Sequence, residues 1–275
     1  MLRRPLDCIF CLLNSRYKDL KTLGIEDANI YRRIIKIAER MDSYRTIAFA
    51  ETFSIIVKAV GGGDPYKKLK LRYTRIAMNL IEKFRIGRPS EGLRLATLFN
   101  SFDTSVLGYE FRLNQLKDRG NFLIDESSLI DGLREKRIAY ILDNAGEHVF
   151  DLKVIELLRM RGNTVDVFVR MQPYEIDVIF DDIKGINGVV AVEGNLPPTF
   201  MRNFKNYDLV ISKGIANFEA AVESWTLGYD ISNFLFAFKA KCSVLKWALS
   251  AERNDLIIAT WRNIRDRLKF IKNSQ

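Results

Sequence analysis

From about residue 134 onward, short apolar runs alternate with stretches of helical periodicity, and no other feature narrows the fold as far. The runs are IAYIL at 138–142, TVDVFV at 164–169, GVVAV at 188–192 and DLVIS at 208–212, all rich in β-branched side chains. Between the first two, VFDLKVIELLRMRG repeats its apolar residues at three and four and ends in a glycine suited to a helix C-cap. Strands that read as near-continuous apolar runs are covered on both faces, and strand–helix alternation makes them parallel. The expectation is a Rossmann-like, mostly parallel α/β/α domain over residues 134–275. FLFAFKA and CSVLKWAL prolong the apolar texture without declaring a helix or a strand.

Upstream the texture is helical. NIYRRIIKIAERM (29–41) and RTIAFAETFSIIVKAV (45–60) carry apolar residues at helical spacing. GGGDP at 61–65 breaks the pattern and opens a further helix in PYKKLKLRYTRIAMNLIEKF. Another helix is expected across EGLRLATLFNSFD, ending near Gly108. The chain therefore reads as an α/β protein, with a helical N-terminal domain over 1–133 preceding the Rossmann-like one. It shows no internal repeat and no low-complexity segment.

Composition removes several classes. At 275 residues and 48% hydrophobic, the chain can bury a substantial core. No segment reaches the roughly 18 uninterrupted apolar residues of a membrane span, and MLRRPLDCIFC lacks the apolar stretch of a secretory signal, so a cytoplasmic protein is expected. Net charge is +9, and residues 1–133 hold 23 Lys and Arg against 16 Asp and Glu. Such a basic half could attract nucleic acid or a small phosphorylated substrate. Its charges are spread along amphipathic helices, and the one dense run, KKLKLRYTR at 67–75, reads as a solvated helix face. Cys8 and Cys11 form a CxxC and Cys242 stands apart. With His148 the sole histidine, a closed zinc site within the chain is not expected. The CxxC remains open between a redox pair, a partial metal site completed by Cys242, and the apolar face of the first helix. No GxGxxG follows a strand and no GxxxxGK[ST] is present, which removes the dinucleotide fingerprint and the P-loop.

In a parallel sheet, ligands bind beyond the carboxyl ends of the strands. IAYIL ends in Asp143 and Asn144, with Ala145-Gly146 turning into a helix near Glu147. TVDVFVR is followed by Asp177, Asp181 and Asp182. DLVIS is followed by Lys213, Gly214, Asn217 and Glu219. Carboxylate and amide oxygens suit a hard cation such as magnesium or manganese. A lysine beside a helix N-terminus suits a phosphoryl group. The set points to metal-assisted phosphoryl chemistry, against the plainer reading of each acid as a helix N-cap.

The ordered motifs carry a resemblance. DNAGE followed by Asp151, RxxPxxxD at 170–177, SKGxxNFE at 212–219 and KC at 241–242 resemble the DUF89, or ARMT1-like damage-control, metal-dependent phosphatase family. In the helical part, GGGDPYKKLK resembles its Gly-x-x-DPY segment and FNSFD at 99–103 its GNxxD. The CxxC is similar to that of its archaeal and bacterial members. The resemblance implies a divalent-metal phosphatase (manganese, magnesium, cobalt or nickel) acting on sugar phosphates or damaged phosphometabolites. By position it makes Asp143, Asn144 and Asp177 metal ligands, with Asp143 also catalytic. It places Lys213 on the phosphate, beside Gly214 and Asn217, and brings Asn100 and Asp103 from the helical domain into the crevice. Glu147 is a candidate for orienting water, or else a first-turn helix charge. His148 reads as a helix side chain. The chain departs from the family pattern at Ile176 and Val178, which replace an amide and a small residue beside Asp177, and at Phe99 and Ser101 around Asn100.

Water attack on a metal-bound phosphomonoester and a covalent intermediate on Asp143 are both open. The rival readings are a methyltransferase using S-adenosylmethionine, which needs a glycine-rich loop where only Gly146 stands, and a nucleic-acid-binding protein drawn from the basic half.

Overall fold

The structure, a computed structural model, describes residues 5–41, 45–101 and 121–268. Helices α1 (Pro5–Thr22), α2 (Ala28–Ala38), α3 (Arg45–Ala59), α4 (Lys67–Ile81) and α5 (Pro89–Phe99) precede the sheet. Strands β1 (Phe122–Asp125), β2 (Arg137–Ile141), β3 (Thr164–Arg170), β4 (Val189–Val192), β5 (Leu209–Lys213), β6 (Phe234–Lys239) and β7 (Leu256–Thr260) form one sheet in the order β1-β7-β6-β5-β2-β3-β4. All neighbours are parallel except β6 and β7. Helices α6 (His148–Met160), α7 (Phe180–Ile183), α8 (Ile215–Thr226), α9 (Ser243–Leu249) and α10 (Trp261–Arg267) connect and cover it. No helix among the described residues is long and apolar enough to cross a membrane.

The apolar runs become strands because both faces are buried. Ala139 and Ile141 of β2 join a core with Phe168, Val210 and Phe236, while Ile138 and Tyr140 join the opposite core with Val167, Ile211 and Leu235. With a side-chain period of two, a strand buried on both faces needs an apolar residue at every position. FLFAFKA resolves into β6, whose six residues are all buried, and the stretch after Cys242 into α9. The sheet also takes in β1, upstream of residue 134, which is paired with β7 and has one buried residue. Too short and too exposed to alternate visibly, it carries no sequence signal.

Two upstream expectations change. The helix across EGLRLATLFNSFD stops at Phe99, where Asn100 takes φ −62° and ψ 26° and leaves the helical path. Gly108 and Asp103 lie outside the described residues. In the dense basic run Lys67, Lys68, Arg72 and Arg75 are exposed as expected, but Lys70 is buried. Its ammonium lies 2.6 Å from Asp64 and 2.5 Å from Asp182. Asp64, from GGGDP, also accepts a 2.9 Å bond from the Tyr66 backbone N–H, which starts α4.

Chain order places the site. From β2 the sheet grows through β3 to β4 on one side and through β5 to β6 on the other, so its switch point lies between β2 and β5. The helical layer closes over that point through α5, which packs on α6 with Phe99 and Phe150 stacked at 4.1 Å between centroids. Gly92 makes the approach close, because a Cβ there would come within 2.7 Å of a Val154 methyl. Phe150→Ala should therefore lower unfolding free energy by about 3–5 kcal/mol in urea denaturation. A loss under about 1 kcal/mol would mean that the two layers do not meet through this stack.

Candidate active site

The segment after β2 does not go straight into α6. It first pairs with the loop after β3: the Val178 N–H donates to the Asp143 carbonyl at 2.8 Å, and the Ala145 N–H to the Ile176 carbonyl at 2.9 Å. Asn144 and Asp177 form an isolated antiparallel bridge. This short ladder sets Asp143, Asn144 and Asp177 side by side, although Asp143 and Asn144 are 34 and 33 positions from Asp177. The apolar neighbours of Asp177 now have a reason. Ile176 is buried in the core of the helical layer and Val178 in the core of the sheet, one on each side of the acid.

Behind Asp143 lies a closed polar layer. The Asn100 amide, at the end of α5, donates to Asp143 Oδ2 at 2.9 Å and to Glu147 Oε2 at 2.6 Å. Lys213 Nζ is 2.5 Å from Glu147 Oε1 and 3.1 Å from Asp151 Oδ1, and the Tyr140 hydroxyl donates to Asp151 at 2.6 Å. Burial alone would depress the Lys213 ammonium, but Asp151 and Glu147 reverse this and raise it. Burial lifts the Asp151 carboxyl to about 6 even against Lys213. Asn217 lies deeper, its amide donating to the Leu142 carbonyl at 3.1 Å and the Lys213 carbonyl at 2.9 Å, which ties the ends of β2 and β5. Gly214 enters by proximity: it sits at φ 77°, and a Cβ there would overlap the whole Asp143 carboxylate.

The open side is a cavity of about 240 Å³ between the sheet rim and α1, α3 and α8. Asp143, Asn144 and Asp177 line it; Glu147, Lys213, Gly214, Asn217 and Asn100 lie outside its wall. The basic groups on the wall near the acids are Arg170 and Lys241. Arg170 donates from Nε to Asp177 at 2.6 Å and from Nη1 to the Asn195 carbonyl, and stacks on Tyr174 at 4.4 Å. Its buried Nη2 has no hydrogen-bond acceptor. Both residues fall inside recognisable motifs, RxxPxxxD and KC, yet neither motif alone says which of its members reaches the cavity. Arg45 and Glu175, also on the wall, have no sequence signal at all.

Electrostatics favour a cation at the floor. Burial raises Asp143 well above the usual carboxylate range, with Asp177 and Glu147 adding and Lys241 opposing. Asp177 is lifted to about 6, by burial first, in spite of Arg170. Two buried carboxylates, of which Asp177 hinders the ionisation of Asp143, with the Asn144 amide beside them, fit a hard divalent ion. Among the described residues no group of three or more His, Cys, Asp and Glu side chains is arranged to hold a metal. The donors here are two acids and an amide.

The remaining polar candidates separate cleanly. Asp181 and Asp182 are exposed first-turn charges of α7, and Asp182 pairs with Lys70. His148 is buried at the start of α6, accepts from the Gly146 N–H at 3.1 Å, and is driven down to about 4 by burial. All three cysteines are free thiols on the cavity wall. Cys8 accepts from Arg45 at 3.0 Å, yet burial raises its thiol, and burial pushes Cys242 up to about 12.

Comparison with known proteins places the chain in a family. The damage-control phosphatase ARMT1-like domain family matches residues 5–257. A damage-control phosphatase of Pyrococcus horikoshii is 26% identical over 91% of this chain and 96% of its own length. One of Archaeoglobus fulgidus is 22% identical over 91% and 96%. The crystal structure of a DUF89 family protein from Pyrococcus horikoshii superposes with a TM-score of 0.75 at 25% identity, covering 92% of this chain and 97% of that one.

Gly214 gives the site's most direct structural prediction. Gly228 shares its positive φ, at 91°, but has nothing within 4 Å of a built Cβ. Gly228→Ala should cost about 1–2 kcal/mol for backbone alone. Gly214→Ala should cost roughly another 1–3 kcal/mol for displacing Asp143. Equal losses in thermal unfolding would show that Asp143 does not pack on this glycine.

Proposed function

The chain belongs to the damage-control phosphatase ARMT1-like family, and on that premise we propose that it hydrolyses phosphomonoesters of damaged metabolites or sugar phosphates at a divalent ion held by Asp143, Asn144 and Asp177. The observation that carries this reading is the ladder between 143–145 and 176–178, which makes one donor set from two strand ends. The bound ion supplies charge neutralisation and Lewis acidity at the phosphoryl group. Magnesium, manganese, cobalt and nickel all suit oxygen donors of this kind.

The chain's own side chains do the rest. Arg170 lines the cavity and holds Asp177 through Nε, and we assign its guanidinium, whose Nη2 has no acceptor, to a phosphoryl oxygen. Lys241, buried on the same wall, places a second positive charge beside Asp143. Lys213, expected from sequence to touch phosphate, is already held by two carboxylates behind the wall. We assign it instead to keeping Glu147 in place. Glu147 in turn fixes Asn100, and Asn100 fixes one oxygen of Asp143, leaving the other for the ion. Gly214 and Asn217 shape this support without touching substrate. Attack by water is the simplest route compatible with an Asp143 turned toward an ion. Neither the methyltransferase reading nor the nucleic-acid reading is favoured by the comparisons.

Phosphate release from p-nitrophenyl phosphate and a panel of sugar phosphates, with each of the four metals, tests the reading. Activity should need metal and fall in Asp143→Ala and Asp177→Ala by more than the ~10–100-fold that outer partners of a metal command. Lys241→Met should lose roughly 100-fold in kcat, as expected for a charge-stabilising group. Folded protein that releases no phosphate with any metal would overturn it.

A further inference from the structure

One buried charge network touches the site from the helical layer and has no place in the chemistry above. Arg16 of α1 is fully buried, with its guanidinium 5.0 Å from the Phe53 ring and 5.7 Å from the Tyr174 ring. It pairs with Glu175, to which the Ser15 hydroxyl also donates at 3.3 Å, and lies 2.8 Å from Asp19. Asp19 accepts from the Tyr66 hydroxyl, so the network also reaches the start of α4.

Glu175 is the unusual member. Its φ is 45°, in the left-handed region that residues with a side chain seldom occupy. The turn it makes returns the Asp177 N–H to the Tyr174 carbonyl at 3.0 Å and starts the ladder that sets Asp177 beside Asp143. A backbone in that region persists where its surroundings hold it. Here the ladder holds one side and Arg16 holds the other. Glu175 also lines the cavity, so a side chain freed from Arg16 would bring a third carboxylate to the floor.

We propose that Arg16 is a positioning residue for the metal site: through its buried ion pair with Glu175 it holds the left-handed turn that presents Asp177. This rests on the metal-phosphatase reading. It explains how Asp177 is fixed where the usual amide and small neighbours are replaced by Ile176 and Val178. The helical layer then does more than cover the cavity; it sets the affinity of the ion beneath it.

Direct Mn2+ binding, read as free Mn2+ by electron paramagnetic resonance, is the test, with kcat at saturating Mn2+ as second readout. Arg16→Met should weaken Mn2+ binding about 10-fold or more, while kcat at saturation changes little. Glu175→Ala keeps a Cβ, and with it the cost of the left-handed backbone, while removing the carboxylate that Arg16 holds; it should weaken binding similarly and carries the test alone if Arg16→Met does not fold. Arg16→Lys, which keeps the cation, should recover part of the affinity. Leu12→Ala removes core packing from the same helix in the other hydrophobic cluster, apart from Phe53, Tyr66 and Tyr174, and should lower the melting temperature while leaving Mn2+ affinity alone. Unchanged affinity in folded Glu175→Ala, or an equal loss in Leu12→Ala, would overturn the proposal and leave the phosphatase reading standing. Wild-type protein that binds no Mn2+ would overturn both.

Discussion

Four backbone atoms carry the site. The two hydrogen bonds between residues 143–145 and 176–178 are the point at which a strand end and a distant loop become one donor set. Everything else either makes that pairing accessible or makes it rigid. The sheet order puts β2 at the switch point, so the residues after it emerge into a crevice. Ile176 and Val178 sink into separate cores on either side of the ladder, which leaves Asp177 facing the cavity. Gly214 lets β5 pass so near Asp143 that no side chain would fit between them.

The charges are arranged in layers by distance from the cavity. Asp143 and Asp177 are on its wall, hindered from ionising by burial first, then Asp143 by Asp177 and Asp177 by Glu175. Glu147, Asp151 and Lys213 form a sealed set behind them, bridged to the wall by Asn100. Buried charges of this kind are weak evidence for stability, because desolvation offsets much of their attraction. Their geometry is better understood as support for the wall carboxylates, whose orientation a metal site requires. The helical layer adds a third set around Arg16 and Glu175, entering from the opposite side.

Much of this was legible in the sequence, for reasons that differ by element. Strands β2, β3 and β5 announce themselves because burial on both faces forces unbroken apolar runs. The edge strand β4 has one buried residue and shows instead as a β-branched run between two glycines, whereas β1, FLID, ends in an exposed acid and offers no such run. Asp143, Asn144 and Asp177 were readable as polar residues at strand ends, where only a ligand or a cap can satisfy them. The direction in which Lys213 points was not readable. Its neighbours Glu147 and Asp151 come from another strand–helix unit, and sequence spacing says nothing of their approach. Arg170 and Lys241 stood in plain view within motifs, but a motif records identity and not orientation. Arg16 and Glu175 were invisible, since an ion pair 159 positions apart and a left-handed φ at a glutamate have no local pattern.

The central claim is that a divalent ion sits between the ends of β2 and β3. Anomalous diffraction from crystals soaked in Mn2+ tests it most directly. The account predicts one strong peak within bonding distance of Asp143, Asn144 and Asp177, on the cavity side. A peak among Cys8, Cys11 and Cys242, or none at the ladder at a Mn2+ concentration that supports turnover, would contradict it.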